Sequence, residues 1–168
     1  HGERELAAAH HVGVRLVCPG DAEWPIGLDD LAGIGADCVA LWVRGGVSLA
    51  DLCDRAVAIV GTRVPTDYGA GVARSLAAGL ADAGWTVVSG LALGIDAAAH
   101  RGALSAAGAT LAVLACGVDV AYPKAHRELA AACAETGAIV SEHPLGSAPH
   151  RHRFLVRNRL IAAQIATP

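Results

Sequence analysis

From residue 57 onward, four short apolar runs punctuate a chain of amphipathic segments: Val57 to Val60, Trp85 to Ser89, Thr110 to Ala115 and Ala138 to Ser141. They start 25 to 28 residues apart, and none alternates cleanly between polar and apolar. Continuous apolar runs at that spacing predict strands buried on both faces and joined by helical crossovers. Between the runs the period changes to that of a helix. Tyr68, Val72, Leu76 and Leu80 recur every four residues, and Gly84 stands where a residue ending a helix belongs. Ile95, Ala98, Ala99 and Gly102 form a small-residue stripe closed by Gly108. Ala125, Leu129, Ala132 and Cys133 mark a third helix closed by Gly137. The pattern predicts an α/β fold over residues 57–168, a right-handed, doubly wound parallel sheet. Residues 1–56 are Gly-rich and weakly periodic. They are expected to form an N-terminal extension packing on the sheet, with a candidate extra strand at Leu41-Trp42-Val43 and a short helical turn at Leu49 to Leu52.

Composition narrows the class. An apolar fraction of 54% against 17% charged residues excludes disorder. Bulk drawn from Ala, Val, Leu and Gly suits helices laid on a parallel sheet rather than a β-sandwich or a disulfide scaffold. The five cysteines show no CxxC or Cys/His ligand spacing, which points to reduced, mostly buried thiols and no metal site. The longest uncharged run, Gly102 to Val118, is interrupted by Gly108 and falls short of a membrane span. With no charged-then-apolar leader, the expectation is a soluble cytoplasmic protein without a membrane partner. The net charge of −3 conceals an asymmetry. Residues 1–60 are strongly acidic, whereas residues 141–168 hold only Glu142 against Arg151, Arg153, Arg157 and Arg159. That last segment is the one suited to an anion.

In doubly wound sheets ligands bind beyond the carboxyl ends of the strands, so the loops there hold the candidate chemistry. After the first strand, Gly61-Thr62-Arg63 leads to Thr66 and Asp67, either able to cap the next helix. Its free N–H groups, with Arg63, suit a phosphate, although an ordinary turn with a solvated arginine fits equally well. After the second strand, Ser89-Gly90 opens an anion nest before Asp96 and His100, which share a helix face. Those two fit an acid–base pair, but structural capping is favoured because no nucleophile or metal stands nearby. Cys116, at the end of the third strand, is read as packing rather than as a nucleophile. After the fourth strand, Phe154, Arg157 and Asn158 fall on one helical stripe. An aromatic ring beside cations and an amide suits stacking a base and holding its phosphates; the alternative is a solvated surface helix. A dinucleotide GxGxxG and a Walker loop are both missing, and so is any cofactor signal.

Taken together in order, these segments resemble one family. They are Gly61-Thr62-Arg63 with Tyr68-Gly69, then Ser89-Gly90-Leu91-Ala92 with Gly94-Ile95-Asp96 and His100. Cys116-Gly117-Val118-Asp119 with Tyr122-Pro123 comes next, followed by Ser141-Glu142 with Pro144, and finally Phe154 with Arg157-Asn158-Arg159. The series is similar to the DNA-processing protein A (DprA/Smf) family over residues 57–163. The resemblance implies an extended Rossmann-like domain that is not an enzyme. It also implies a homodimer that binds single-stranded DNA, protects it and hands it to a RecA-type recombinase during natural transformation. Carried over by motif, the DNA-binding residues would be Arg63 at the pocket floor with Gly61 and Thr62, Ser89 and Gly90 as backbone donors, and Arg151, Phe154, Arg157, Asn158 and Arg159 along the rim. Family members continue past the Arg157-Asn158-Arg159 helix, so the C-terminal part of the domain is expected to lie beyond this chain. The competing expectation is a nucleotide phosphoribohydrolase of the lysine-decarboxylase-like type, whose PGGxGT segment and following carboxylate this chain lacks.

Overall fold

The computed structural model describes residues 2–163. The chain opens with helix α1 (Gly2–His11) and strand β1 (Val14–Val17), then runs through a 3₁₀ segment (Ile26–Ile34) to β2 (Leu41–Arg44) and α2 (Leu49–Asp54). Strand and helix then alternate: β3 (Ala56–Ala58), α3 (Asp67–Asp82), β4 (Thr86–Ser89), α4 (Ile95–Ser105), β5 (Thr110–Val113), α5 (Arg127–Thr136), β6 (Ala138–Ser141) and α6 (Arg151–Ala163). The strands form one six-stranded sheet in the order β1-β2-β6-β5-β4-β3. Strands β3 to β6 are parallel; β2 pairs antiparallel with β6, Val43 opposite Val140, and β1 pairs antiparallel with β2. The segment before residue 56 therefore adds two strands to the sheet as well as covering it. Residues 164–168, assigned above to the same domain, lie outside the described residues.

The winding departs from the doubly wound expectation within the same α/β, Rossmann-like class. The parallel strands lie in sequence order, so right-handed crossovers place α3, α4 and α5 on one face. On that face Val87 packs with Ala73, Ala77 and Ala99, while Ala112 and Ile139 pack with Leu129 and Cys133. The opposite face is covered without a crossover. Val88, Leu111, Val113 and Val140 meet Leu28 and Leu31 of the 3₁₀ segment, Leu49 and Leu52 of α2, and Leu160 and Ile161 of α6. Each central strand is thus buried on both sides, which is why the runs do not alternate.

Helix α3 turns a different side to the core than its bulky stripe suggests. Ala73, Ala77 and Ala81 are buried, whereas Tyr68, Val72 and Leu76 face outward, Tyr68 being 82% exposed. The cause is close helix–helix packing. Gly102 of α4 lies so near the Arg74 carbonyl and the Ala77 methyl that a Cβ there would clash. Small residues set the separation of α3 and α4, and the large ones are left outside. No helix among the described residues is long and apolar enough to cross a membrane.

Between α4 and the sheet, His100 is fully buried. The Thr110 hydroxyl donates to the Val87 carbonyl at 2.7 Å, so it accepts from His100 Nδ1–H, also at 2.7 Å. That fixes the proton on Nδ1 and leaves Nε2 with no partner. Burial, with the positive fields of His126 and Arg157, pushes the His100 pKa down to about 3. In the unfolded chain the ring protonates at its ordinary value, so below about pH 6.5 the unfolded state binds the additional proton. The contribution is complete above that pH and is lost progressively toward pH 3. Denaturant titrations should therefore show stability falling between pH 6.5 and 4.5 at up to about 1.4 kcal/mol per pH unit from this group. In His100→Gln that component of the slope should disappear.

Candidate nucleic-acid interface

The loops after β3 and β4 are joined by one carboxylate. Asp96, in the first turn of α4 and 5% exposed, accepts from Gly61 N at 3.4 Å, Gly90 N at 3.2 Å and Ala92 N at 3.4 Å. The anion nest expected from the two glycine loops is therefore built, but the chain's own carboxylate fills it. Gly61 and Gly90 do not offer these N–H groups to a ligand. Ser89 is also internal: it is fully buried and its hydroxyl donates to the Ile59 carbonyl at 2.7 Å. Thr62 is exposed, with its hydroxyl oxygen accepting from Val64 N, and Thr66 caps α3 by accepting from Gly69 N.

Two of the expected rim arginines point inward. Arg157 is only 5% exposed and donates to the carbonyls of Gly90 and Val113, locking α6 onto the ends of β4 and β5. Burial lowers its pKa, against the opposing attraction of Asp96. Gly90 lacks a side chain because a Cβ would run into this guanidinium. Arg159 forms a two-pronged ion pair with Glu142, both contacts at 2.6 Å, and donates to the carbonyls of Ala36 and Asp37. It pins α6 to the N-terminal segment. Both side chains are committed to the fold rather than offered to phosphates, because the carbonyl-rich strand ends and Glu142 compete for them.

The groups that remain open form a different set. Arg63 is exposed, and its guanidinium lies over the Phe154 ring, 5.2 Å from the centroid. It has no hydrogen bond or ion pair among the described residues. On the same ring, Tyr122 sits 5.5 Å away at 47°. Asn158 is exposed, its amide oxygen receiving Arg157 Nε–H at 3.3 Å, and Arg151 is exposed at the start of α6. These residues border two clefts. One, of about 490 Å³, is lined by Gly61, Arg63, Phe154 and Asn158. The other, of about 530 Å³, is lined by Arg63, Tyr122, Arg151 and Phe154. Of the expected binding residues, the clefts bring together Arg63, Phe154, Asn158 and Arg151, with Gly61 and the largely buried Arg157 in the wall of the first. Tyr122 was not among the expected residues. Its signal was an aromatic residue in a loop beyond a strand's carboxyl end.

The site offers cations and aromatic faces but no assembled nucleophile. Burial and the nearby Asp119 carboxylate push the Cys116 thiol up to about 11, so it is protonated at neutral pH. Asp119 itself accepts from Gly146 N and ties together the loops after β5 and β6. No cluster of metal-binding side chains occurs among the described residues.

Fold and site together define a Rossmann-like α/β protein whose nucleotide-type nest is closed from within and whose open cationic and aromatic groups lie along α6. A family model for DNA recombination-mediator protein A matches residues 15–166, and the chain belongs to that family. It is 48% identical to a Mycobacterium tuberculosis DprA over 90% of this chain and 41% of the relative. Against Bacillus subtilis DNA processing protein DprA the identity is 35% over 95% of this chain and 52% of the relative. The chain thus spans about half the length of these relatives. An X-ray structure of Streptococcus pneumoniae DprA superposes with a TM-score of 0.81 at 33% identity, covering 94% of this chain and 55% of that one. A Helicobacter pylori DNA processing protein A, whose single-stranded DNA binding mode has been described structurally, gives 0.76 at 32% identity, covering 89% and 65%.

Because Asp96 joins two loops through three amides, Asp96→Ala should cost about 2–4 kcal/mol by urea titration, with Asp96→Asn milder since its carbonyl still accepts. Arg157→Met should likewise lower the melting temperature, for it leaves two strand-end carbonyls unpaired.

Proposed function

We propose that this chain binds single-stranded DNA in the cytoplasm through the α6 groove, and that it serves DNA processing in natural transformation by protecting the strand and passing it to a RecA-type recombinase. The role is binding rather than catalysis, exercised as a homodimer. The observation that carries this reading is Arg63 resting on Phe154 without a carboxylate partner, at the wall shared by two open clefts. A cation and an aromatic face side by side hold phosphate and base without reading sequence. Family membership and the Helicobacter pylori neighbour, described for single-stranded DNA binding, support it.

The nucleotide-hydrolase alternative is disfavoured by Asp96. A mononucleotide phosphate seeking the nest would meet a fixed negative charge already holding the donors. DNA lying outside the nest needs none of its donors and meets Arg63 and Arg151 instead.

Anisotropy titrations of fluorescent oligo-dT should show affinity falling steeply with salt and little preference among sequences. Arg63→Ala should weaken binding and reduce the magnitude of the log–log salt slope by about 0.7, the share of one single-strand phosphate contact. Phe154→Ala should cost about 1–3 kcal/mol with the slope unchanged. Binding insensitive to salt, or turnover of a nucleoside monophosphate, would reject this assignment.

A further inference from the structure

The two clefts are of similar size and share a wall. Arg63, Phe154 and Leu155 line both, Asn158 belongs to one, and Tyr122 to the other. Each has the volume of a pocket that takes a small organic group the size of a nucleotide. Tyr122 is 40% exposed, it lies on the long loop between β5 and α5, and its ring contacts Phe154 at a tilt rather than stacking flat. A tilted pair leaves part of each face uncovered. One base cannot lie flat against two rings inclined at 47°, but two bases can, one on each side of the shared wall.

We propose that Tyr122 is a second base-stacking residue, and that the Arg63–Phe154 pair separates two consecutive nucleotides, one base entering each cleft. This rests on the single-stranded DNA reading and adds a register to it. The phosphate joining the two nucleotides passes over the wall, where Arg63 already lies unpaired. On the Asn158 side, the base meets the Phe154 face and an amide able to donate to its edge. On the Tyr122 side, it meets the phenol ring, with Arg151 available to the next phosphate. The Arg63 guanidinium occupies a face of Phe154 in the free protein, so the strand draws it toward the phosphate as the base takes its place. The stacked cation is then a placeholder that keeps the ring from collapsing onto its neighbours. Specificity is low on both sides, since every base has a π-face and only one amide is at hand.

The test uses the intact protein and oligo-dT carrying 5-iodouracil, with anisotropy for affinity and mass spectrometry after irradiation for the sites of attachment. The proposal expects adducts on both Tyr122 and Phe154. It also expects roughly ten-fold weaker binding in Tyr122→Leu, near wild-type binding in Tyr122→Phe, and the same salt slope in both, because a lost stack releases no counterion. Tight, salt-dependent binding with adducts on Phe154 alone would overturn the role of Tyr122 while leaving the DNA reading intact. So would binding by folded Tyr122→Leu within two-fold of wild type. If that variant does not fold, the adducts on the unmodified chain decide. A failure of wild-type protein to bind oligo-dT at all would remove both the DNA reading and this one.

Discussion

Asp96 places a buried negative charge on three backbone amides from two loops, and the carboxyl edge of the sheet is arranged around that charge. An ion taken out of water at this depth is costly unless donors and an opposite charge accompany it. The donors come from Gly61, Gly90 and Ala92, and the opposite charge is Arg157, whose guanidinium feels the Asp96 field. Arg157 in turn holds α6 to the ends of two strands. A chain of internal charges therefore runs from the α4 N-terminus to the helix that presents the open residues. Positioning of Phe154 and Asn158 on that helix depends on it, although Asp96 and Arg157 are each only 5% exposed.

The same wiring separates the charges committed to the fold from those left open. Arg159 and Glu142 clamp α6 to the N-terminal segment, and Asp119 ties the next two loops together. Against this fixed rim, Arg63 and Arg151 have no hydrogen bond or ion pair within the described residues. Phe154 is held between Tyr122 and Arg63 at the point where the two clefts meet. The net negative charge of the chain is compatible with an anionic ligand because Arg63 and Arg151 stand here without such an ion pair, while much of the acidic excess lies in residues 1–60.

The sheet was legible in the sequence because both-face burial leaves continuous apolar runs, and Val87–Val88 and Ile139–Val140 show that directly. The face taken by each helix was less legible. Which large residues of α3 stay outside depends on Gly102 and Ala77 approaching closely, a tertiary fact that a four-residue period does not record. At the site, periodicity correctly grouped Phe154 with Asn158. It did not distinguish a guanidinium that reaches solvent from one that turns toward strand-end carbonyls, so Arg157 and Arg63 looked alike. Likewise, Ser89-Gly90 was legible as a nest, while its occupant became visible only when Asp96 was seen beneath it. Tyr122 was legible as part of a motif but not as a neighbour of Phe154, because nothing in its local sequence joins it to a ring 32 positions away.

The division of labour between inward and outward arginines bears on how such a surface changes over generations. A substitution at Arg157 or Asp96 disturbs several bonds at once, so drift there is constrained by folding. Substitutions at Arg63, Arg151 or Tyr122 remove no internal hydrogen bond. Under the proposed reading, affinity can therefore be changed one side chain at a time without breaking the hydrogen-bonded frame, with the loss only of ring contacts around Phe154.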